Sequence, residues 1–399
     1  MTVNSSRRRV VTGVNLALLI TLAHTANDAF TNVLPVYLPI LQVRFDLGEA
    51  ALAGFVALIS LSSNVMQAFA GALADRWGRR RAAALGLVVG SLLMSFLAVV
   101  PTVWSLFLLL AVGGLGSAIF HPAAASMVHA VGERKGFGMG LFMAGGPIGS
   151  AAMPVVVLYV IRQFGIGYVP WLAVVGVILG LLLLFLTPRQ TQPQASARPR
   201  IFDRSLFTGP VGLLALAGTM RAVAFISFTN AMPLYLVNVR GFDTESAVIG
   251  WTLFAYSAAA SAGVFLAGSL EGRMGRAKLA TGSMLLAAPL LLSTLLVSPG
   301  TLGFYALAAL AGMFTNGAIP LLLVSAQDLA PHAVASASGM LMGFTWGMAG
   351  VLYVGFGAFQ QLLGLTPALA LSFTFVVPAA LLALFIMRKY DLGTVAPSR

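Results

Sequence analysis

The chain alternates long apolar runs with short polar or basic connections along its whole length. A helix needs roughly 20 mostly apolar residues to cross a bilayer. Runs of this kind number twelve and fall into two sets of six. They lie at 13–41, 49–73, 82–100, 103–128, 137–161 and 167–187, and at 209–237, 246–269, 279–297, 301–327, 335–362 and 366–387. The pattern predicts an all-α membrane protein with twelve transmembrane helices.

Two stretches recur at an interval close to half the chain length. Phe30-Thr-Asn-Val-Leu-Pro-Val-Tyr-Leu38 returns as Phe228-Thr-Asn-Ala-Met-Pro-Leu-Tyr-Leu236, and Pro122 and Pro320 keep the same offset of 198 residues. Like-oriented halves with matching bent helices are typical of rocking transporters, although duplication can also be purely structural. We predict two pseudo-symmetric six-helix halves, at 1–187 and 206–399, joined by a cytoplasmic linker at 188–205.

A charged stretch, Gly71-Ala-Leu-Ala-Asp-Arg-Trp-Gly-Arg-Arg-Arg81, connects the second and third runs, and a degraded copy follows at 268–278. Asp75 can accept hydrogen bonds from a helix N-terminus and pair with cations in one of two states. We predict a conformational latch formed by Gly71, Asp75, Arg76, Gly78, Arg79, Glu271 and Arg273. The second latch should be weaker, because Gly272 stands at the position of Asp75. Alternatively, the arginines only anchor topology.

Composition and charge distribution agree with a membrane protein. Hydrophobic residues make up 59% of the chain and the mean hydropathy is +0.95, whereas soluble domains are about 45–50% apolar. The net charge of +12 lies in short connections, so we expect a lipid bilayer and no nucleic acid as partner. With a cytoplasmic N-terminus, 19 of the 23 Lys and Arg residues fall on the inside. The positive-inside rule then places both termini in the cytoplasm. The first run is too long for a signal peptide, so we expect a retained helix.

Several classes of function are disfavoured. The chain has no cysteine, which excludes disulfides and thiol chemistry. Its four histidines are scattered without metal-ligand spacing, and no Gly-x-x-x-x-Gly-Lys motif indicates ATP use. No loop is long enough to hold a sensor output domain. We therefore expect neither an enzyme nor a bound cofactor or metal.

The stretch Gly71-x-Leu-Ala-Asp75-Arg76-x-Gly78-Arg79-Arg80 resembles the signature loop of the major facilitator superfamily. With twelve runs and a second copy of the loop, the resemblance covers the whole chain. Gly145-Gly-Pro-Ile-Gly149 resembles the glycine–proline motif of its drug/proton antiporters. The resemblance implies the two-half fold and transport by alternating access.

Three further stretches resemble the fosmidomycin-resistance group of efflux proteins. They are His24-Thr-Ala-Asn27-Asp28, Gly116-Ser-Ala-Ile-Phe120-His121-Pro122 and Ala330-Pro-His-Ala-Val-Ala-Ser336-Ala-Ser338-Gly339. The group often carries an acidic residue and an arginine soon after Phe-His-Pro, whereas this chain has Ala123, Ala124 and Met127. The departure leaves the substrate and the coupling route open.

Ionisable groups inside the apolar runs are functional candidates, because burying each costs at least ~2.5 kcal/mol. Asp28 and His24 lie four residues apart on one helix face, with Asn27 and Thr31 nearby. Arg221 lies at a similar depth in the seventh run. We predict that Asp28 exchanges a proton, that His24 tunes it, and that Arg221 alternates between Asp28 and an anionic substrate. Alternatively, Asp28 and Arg221 form a static buried pair.

Other polar and aromatic residues in the runs are predicted to line a substrate site: Asn27, Thr31, His121, Tyr256, Asn316 and Trp346. Packing is the alternative for the aromatic and amide side chains, and His121 could instead satisfy backbone freed by Pro122. We predict a monomeric, proton-coupled exporter of small anionic or amphipathic compounds in the inner membrane. The alternative is a sugar or organic-acid importer or facilitator on the same fold.

Overall fold

The computed structural model describes residues 13–129, 135–188, 204–331 and 333–392. The first half contains α1 (Gly13–Thr31 and Leu34–Phe45), α2 (Glu49–Ser60, Leu61–Val65 and Gln67–Trp77), α3 (Arg79–Ser95 and Leu97–Val99), α4 (Val103–His129), α5 (Lys135–Phe164) and α6 (Ile166–Leu172 and Ala173–Leu186). After a short helix at Arg204–Thr208, the second half contains α7 (Pro210–Asn238), α8 (Ala247–Met274), α9 (Arg276–Ser293), α10 (Leu302–Leu329), α11 (Val334–Gly339, Met340–Phe344 and Thr345–Leu363) and α12 (Leu365–Thr374 and Val376–Lys389).

This architecture confirms the prediction of an all-α fold with two sets of six helices. Within the described ranges, nine helices are long and apolar enough to cross a membrane by length and composition. Of the other three, α1 and α2 are interrupted, and α9 begins with the charged residues Arg276 and Lys278. Most of the linker predicted at 188–205 lies outside the described residues.

The first helix breaks at Asn32 and Val33, where a single continuous span was predicted. Pro35 has no backbone N–H, and a proline ring clashes with the carbonyl four residues earlier, so the chain starts a new helix at Leu34. The matching Pro233 lies inside an uninterrupted α7. The sequence repeat is therefore shared by both halves, whereas the break is not.

Glycines bring neighbouring helices into backbone contact. A Cβ added to Gly86 of α3 would lie 2.9 Å from the Phe120 nitrogen, and one on Gly116 of α4 would lie 2.7 Å from the Gly90 nitrogen. In the second half, Gly312 of α10 is equally close to the backbone of Tyr256. Small residues are the usual means of close helix packing in membranes.

Two glycine turns mark one end of the bundle, which we call the basic end. Gly78 links α2 to α3 with φ of 86°, and Gly275 links α8 to α9 with φ of 81°. Glycine is favoured at such positive φ values because it has no Cβ. Both copies of the charged stretch therefore form the same glycine turn between two helices.

The two halves meet mainly at the opposite, distal end. A Cβ on Gly357 of α11 would lie 3.2 Å from the Ala50 Cα of α2. Asn238 Nδ2, at the end of α7, donates a hydrogen bond of 2.8 Å to Gln42 Oε1 of α1. A Cβ on Gly250 of α8 would lie 3.2 Å from the Val155 Cα of α5. The halves are therefore joined at the distal end in this state.

We predict that Gly116→Ala destabilises the protein by roughly 1–3 kcal/mol, because the added methyl group has to push α3 and α4 apart. Thermal unfolding of the purified protein in detergent measures the effect. Gly282→Ala is the matched control, since a Cβ there meets no atom within 4 Å. Equal unfolding midpoints for the two variants would contradict the importance of this contact.

Candidate functional site

A carboxylate lies between two histidines in the first half. His24 Nε2, on the same face of α1, is 3.3 Å from Asp28 Oδ2. His121 Nε2, from α4, is 3.0 Å from Asp28 Oδ1. The structure therefore brings together the predicted pair Asp28 and His24. It adds His121, which sequence analysis had assigned to substrate binding. We call these three residues the carboxylate–histidine cluster.

Backbone carbonyls orient both imidazoles. His24 Nδ1 lies 2.7 Å from the carbonyl oxygen of Phe142 in α5, and His121 Nδ1 lies 2.9 Å from that of Ser117 in its own helix. Because a carbonyl oxygen only accepts, both Nδ1 atoms must donate. Each ring is thereby fixed with Nε2 towards Asp28.

Asn27 holds the carboxylate from a third direction. Its Nδ2 donates to Asp28 Oδ1 and to Ser117 Oγ, both at 3.0 Å. Thr31 donates to the Asn27 carbonyl at 2.8 Å within the same helix. In this state, Asn27 is therefore a positioning residue for the cluster.

Gly146 of α5 makes room for the cluster. A Cβ at this position would lie 2.7 Å from His24 Nε2 and closer still to Asp28 Oδ2. Gly145 and Gly149 similarly let α5 approach the α1 backbone at Thr21 and Thr25. The glycine–proline stretch therefore has a local physical reason, because a larger residue would displace the carboxylate.

The same three residues are the group, among those the structure describes, that could hold a metal ion, since their ligand atoms lie within 4.8 Å of one another. Spacing along the chain did not indicate this proximity. However, each histidine meets a different carboxylate oxygen at hydrogen-bond distance. This is the geometry of two hydrogen bonds rather than of ligands converging on one point.

The second half buries a guanidinium. Arg221 of α7 is 2% exposed, and its Nη1 donates to Asn316 Oδ1 of α10 at 2.6 Å. The indole ring of Trp346 from α11 covers the guanidinium, with 5.0 Å between Cζ and the ring centroid. No described residue accepts a hydrogen bond from its Nε. Three predicted site residues are thus brought into contact.

Tyr256 joins this group through aromatic contacts. Its ring stacks on Phe228 at 3.9 Å between centroids and lies 5.2 Å from Phe225, which in turn contacts Trp346 edge to face. The packing that sequence analysis offered as the alternative for Tyr256 is therefore present.

Asp28 and Arg221 are not in contact in this state, so the alternative of a static buried pair is wrong, whereas alternation of Arg221 between Asp28 and substrate stays a prediction. Each has partners within its own half: histidines surround Asp28, and Asn316 and Trp346 hold Arg221. The physical reason is that two imidazoles from the same half already contact both carboxylate oxygens of Asp28.

A cavity of about 130 Å³ lies between the halves. Two of the predicted substrate contacts, Thr31 and Trp346, are among its lining residues. The other predicted contacts lie outside its lining: Asn27, His121, Arg221, Tyr256 and Asn316. Sequence analysis missed several polar lining residues: Asn32, Ser60, Ser63, Asn64, Thr229, Asn230 and Ser257. Their polarity within apolar runs is the sequence signal by which they could have been identified.

Both charged centres flank this cavity. Asn32, in its wall, donates from Nδ2 to the Asp28 carbonyl at 3.1 Å. On the other side, Trp346 lines the cavity, and its indole ring covers the guanidinium of Arg221.

At the basic end, the second half contains an ion-pair triad. Arg276 Nε donates to Glu271 Oε1 at 2.6 Å, and its Nη1 donates to Asp328 Oδ2 at 2.5 Å. Burial lowers the pKa of Arg276, but the two carboxylates raise it overall. Arg273, predicted as the cation of this latch, is exposed. Arg276 makes the ion pairs instead, because it begins α9 beside the ends of α8 and α10.

The first latch is described only in part. Gly71 and Asp75 lie in the α2 segment Gln67–Trp77, and their side-chain surroundings lie outside the described residues. Arg76 is exposed, Gly78 forms the turn, and Arg79 begins α3. The comparison of strength between the two latches stays a prediction.

Two similar helical halves, a cavity between them and buried charges on either side define a membrane transporter. The sequence model of the Major Facilitator Superfamily matches residues 16–354, so the chain belongs to this superfamily.

Individual relatives support the same class. The chain is 26% identical over 370 residues to the uncharacterized MFS-type transporter YfnC of Bacillus subtilis (strain 168), covering 89% of this chain and 88% of the relative. It is 26% identical over 342 residues to the fosmidomycin resistance protein of Escherichia coli (strain K12), covering 83% of each. The crystal structure of a mutant of the nucleoside transporter NupG superposes with a TM-score of 0.74 at 15% identity, covering 94% of this chain and all of that one. The similarity to NupG shows the fold alone.

We predict that Arg276→Gln lowers stability by about 1–2 kcal/mol, because it leaves Glu271 and Asp328 facing each other without their shared cation. Arg273→Gln, the same charge change in the same turn, should stay within about 0.5 kcal/mol of the unmodified protein. Thermal unfolding in detergent compares the two. An equal effect would show that the triad contributes nothing beyond net charge.

Proposed function

We propose that the protein is a proton-coupled secondary exporter of small anionic or amphipathic compounds, acting as a monomer in the inner membrane. The observation that carries this proposal is the pair of buried charged centres, Asp28 with its histidines and Arg221, on opposite sides of one cavity. We place the basic end in the cytoplasm on the distribution of Lys and Arg. In this orientation, the halves are joined on the outer side.

Arg221 is proposed to bind the anionic group of the substrate. A buried guanidinium costs several kcal/mol unless an anion compensates it. Among the described residues, no carboxylate lies within ion-pair distance of Arg221, and its Nε has no acceptor. An oxyanion entering beside Trp346 would supply both charge and acceptor.

Asp28 and His24 are proposed to carry the coupling protons, with His121 now included. The chain lacks the acidic residue and arginine that related efflux proteins often carry after Phe-His-Pro. The contact between His121 and Asp28 supports a coupling route through α1 and α4 without those residues. The likeness to a fosmidomycin resistance protein makes fosmidomycin the first compound to test.

The charged turns at the basic end are proposed to be conformational latches. The triad around Arg276 joins the ends of three helices within the second half. Ion pairs of this kind are strong only when their geometry is maintained. A movement that separates the helix ends would therefore change the balance between the two states.

We predict that proteoliposomes with an imposed pH gradient move fosmidomycin against its concentration gradient. Asp28→Asn should abolish this uphill flux but retain exchange without a pH gradient, because only the proton step is lost. Arg221→Lys should raise the half-saturating concentration about tenfold or more, because lysine lacks the planar fork of arginine. Flux of labelled compound measures both effects.

Asp243→Asn is the matched control, since it removes an exposed carboxylate at the distal end. Sugars and cationic dyes in the same assay test the importer alternative and the charge preference. Uphill flux that survives Asp28→Asn unchanged would contradict the proton role of Asp28.

We predict that Asp75→Asn slows transport at least severalfold at normal expression, because a neutral amide forms weaker contacts with cations than a carboxylate. Arg81→Gln serves as the control, as the trailing arginine is expected only to anchor topology. A wild-type rate for Asp75→Asn would exclude a latch at this position.

A further inference from the structure

The carboxylate–histidine cluster contains two contacts that cannot exist without bound protons. Both Nδ1 atoms donate to backbone carbonyls, so a neutral His24 or His121 would present the bare lone pair of Nε2. Those lone pairs would face Asp28 Oδ2 at 3.3 Å and Oδ1 at 3.0 Å. A carboxylate oxygen and a bare imidazole nitrogen repel each other at such distances. Each contact therefore requires one proton between its two atoms.

We infer that the carboxylate–histidine cluster holds two protons in this state and that the transporter exchanges two protons per substrate molecule. The second part rests on the proposed proton-coupled transport. One proton lies between Asp28 and His24, the other between Asp28 and His121. With both bound, the cluster carries a net charge of +1, and loss of both would leave −1. Loss of the first proton removes one contact and leaves the cluster neutral, and loss of the second removes the other contact.

The described residues of the neighbouring helices add no titratable side chain to the carboxylate–histidine cluster. On α5 the cluster meets Gly146 and the Phe142 carbonyl, neither of which titrates. The faces of α3 and α6 beside α1 contribute apolar side chains such as Leu87 and Leu183. Among the described residues, the ion-pair partners of Asp28 are His24 and His121, and Arg221 lies in the other half.

Exposure gives the two protons an order. The His121 side chain is 25% exposed and that of Asp28 is 16% exposed, whereas His24 is only 7% exposed. The proton at His121 is therefore the more accessible of the two and leaves first. The proton at His24 leaves through Asp28 after the first has gone. Asn27, which donates to Asp28 Oδ1, keeps the carboxylate in place during this relay.

Nitrogen NMR of ¹⁵N-histidine-labelled protein tests the proton count without any substrate. The chain has four histidines, so the double variant His129→Gln, His332→Gln leaves only the two in the cluster. We expect both remaining imidazoles to carry protons on both ring nitrogens at neutral pH. A bare Nε2 on either ring would overturn the inference.

A variant of Asp28 and a matched control extend this test. In Asp28→Asn, at least one histidine should revert to the neutral Nδ1–H form, because one amide cannot accept from both rings. Asp243→Asn should leave both rings doubly protonated. If Asp28→Asn does not fold, the spectrum of the parent protein still decides the proton count.

The transport stoichiometry is tested with fosmidomycin in proteoliposomes whose membrane potential is clamped at zero. At balance, a pH difference of one unit should sustain about a hundredfold substrate gradient for two protons, but only about tenfold for one. A tenfold gradient would overturn the two-proton exchange. If fosmidomycin is not transported, the proposed function fails for this compound, while the NMR result still decides whether the cluster holds two protons.

Discussion

A carboxylate among membrane helices is costly unless polar or cationic partners surround it, and Asp28 has two histidines at ion-pair distance within one half of the bundle. The two histidines serve both carboxylate oxygens, and backbone carbonyls fix the direction of each ring. Arg221 in the other half has an amide and an indole ring, but no carboxylate among the described residues lies at ion-pair distance. The halves share a fold, yet only the first provides its buried charge with partners that can carry the opposite charge.

The helix packing around the cluster follows from the same condition. The carboxylate needs space between α1 and α5, and Gly146 provides it, since a Cβ there would occupy the position of Asp28 Oδ2. His121 has to reach α1 from α4, which in turn lies in backbone contact with α3 through Gly86 and Gly116. These glycines are therefore more than the small residues that membrane helices generally favour. They set the distances at which the charged groups meet.

The sequence was sufficient for features that depend on period and repetition. Twelve runs and two halves follow from apolar length and the offset between copies. Partners were not predictable, because contacts between helices depend on rotation about each axis. His24 on the same helix was predicted beside Asp28, but the second partner was sought in Arg221, whereas it is His121 of α4. For the same reason, Arg276 and Asp328 were missed at the basic end, where three helix ends converge.

Two interrupted helices, α2 and α11, cross between the cavity and the distal end at which the halves are joined. Both α2 and α11 contain a π-helical segment, Leu61–Val65 and Met340–Phe344, and a Cβ on Gly343 would lie 3.5 Å from the carbonyl oxygen of Asn64. Such segments weaken the hydrogen-bond ladder locally and are frequent at functional sites. On the distal side of this crossing the two helices pack closely, whereas Ser63 and Asn64 already line the cavity. In the proposed alternating cycle, a bend at this level would open one end of the bundle while the other closes. In the proposed cycle, the bend lies level with the residues through which Asp28 and Arg221 reach the substrate.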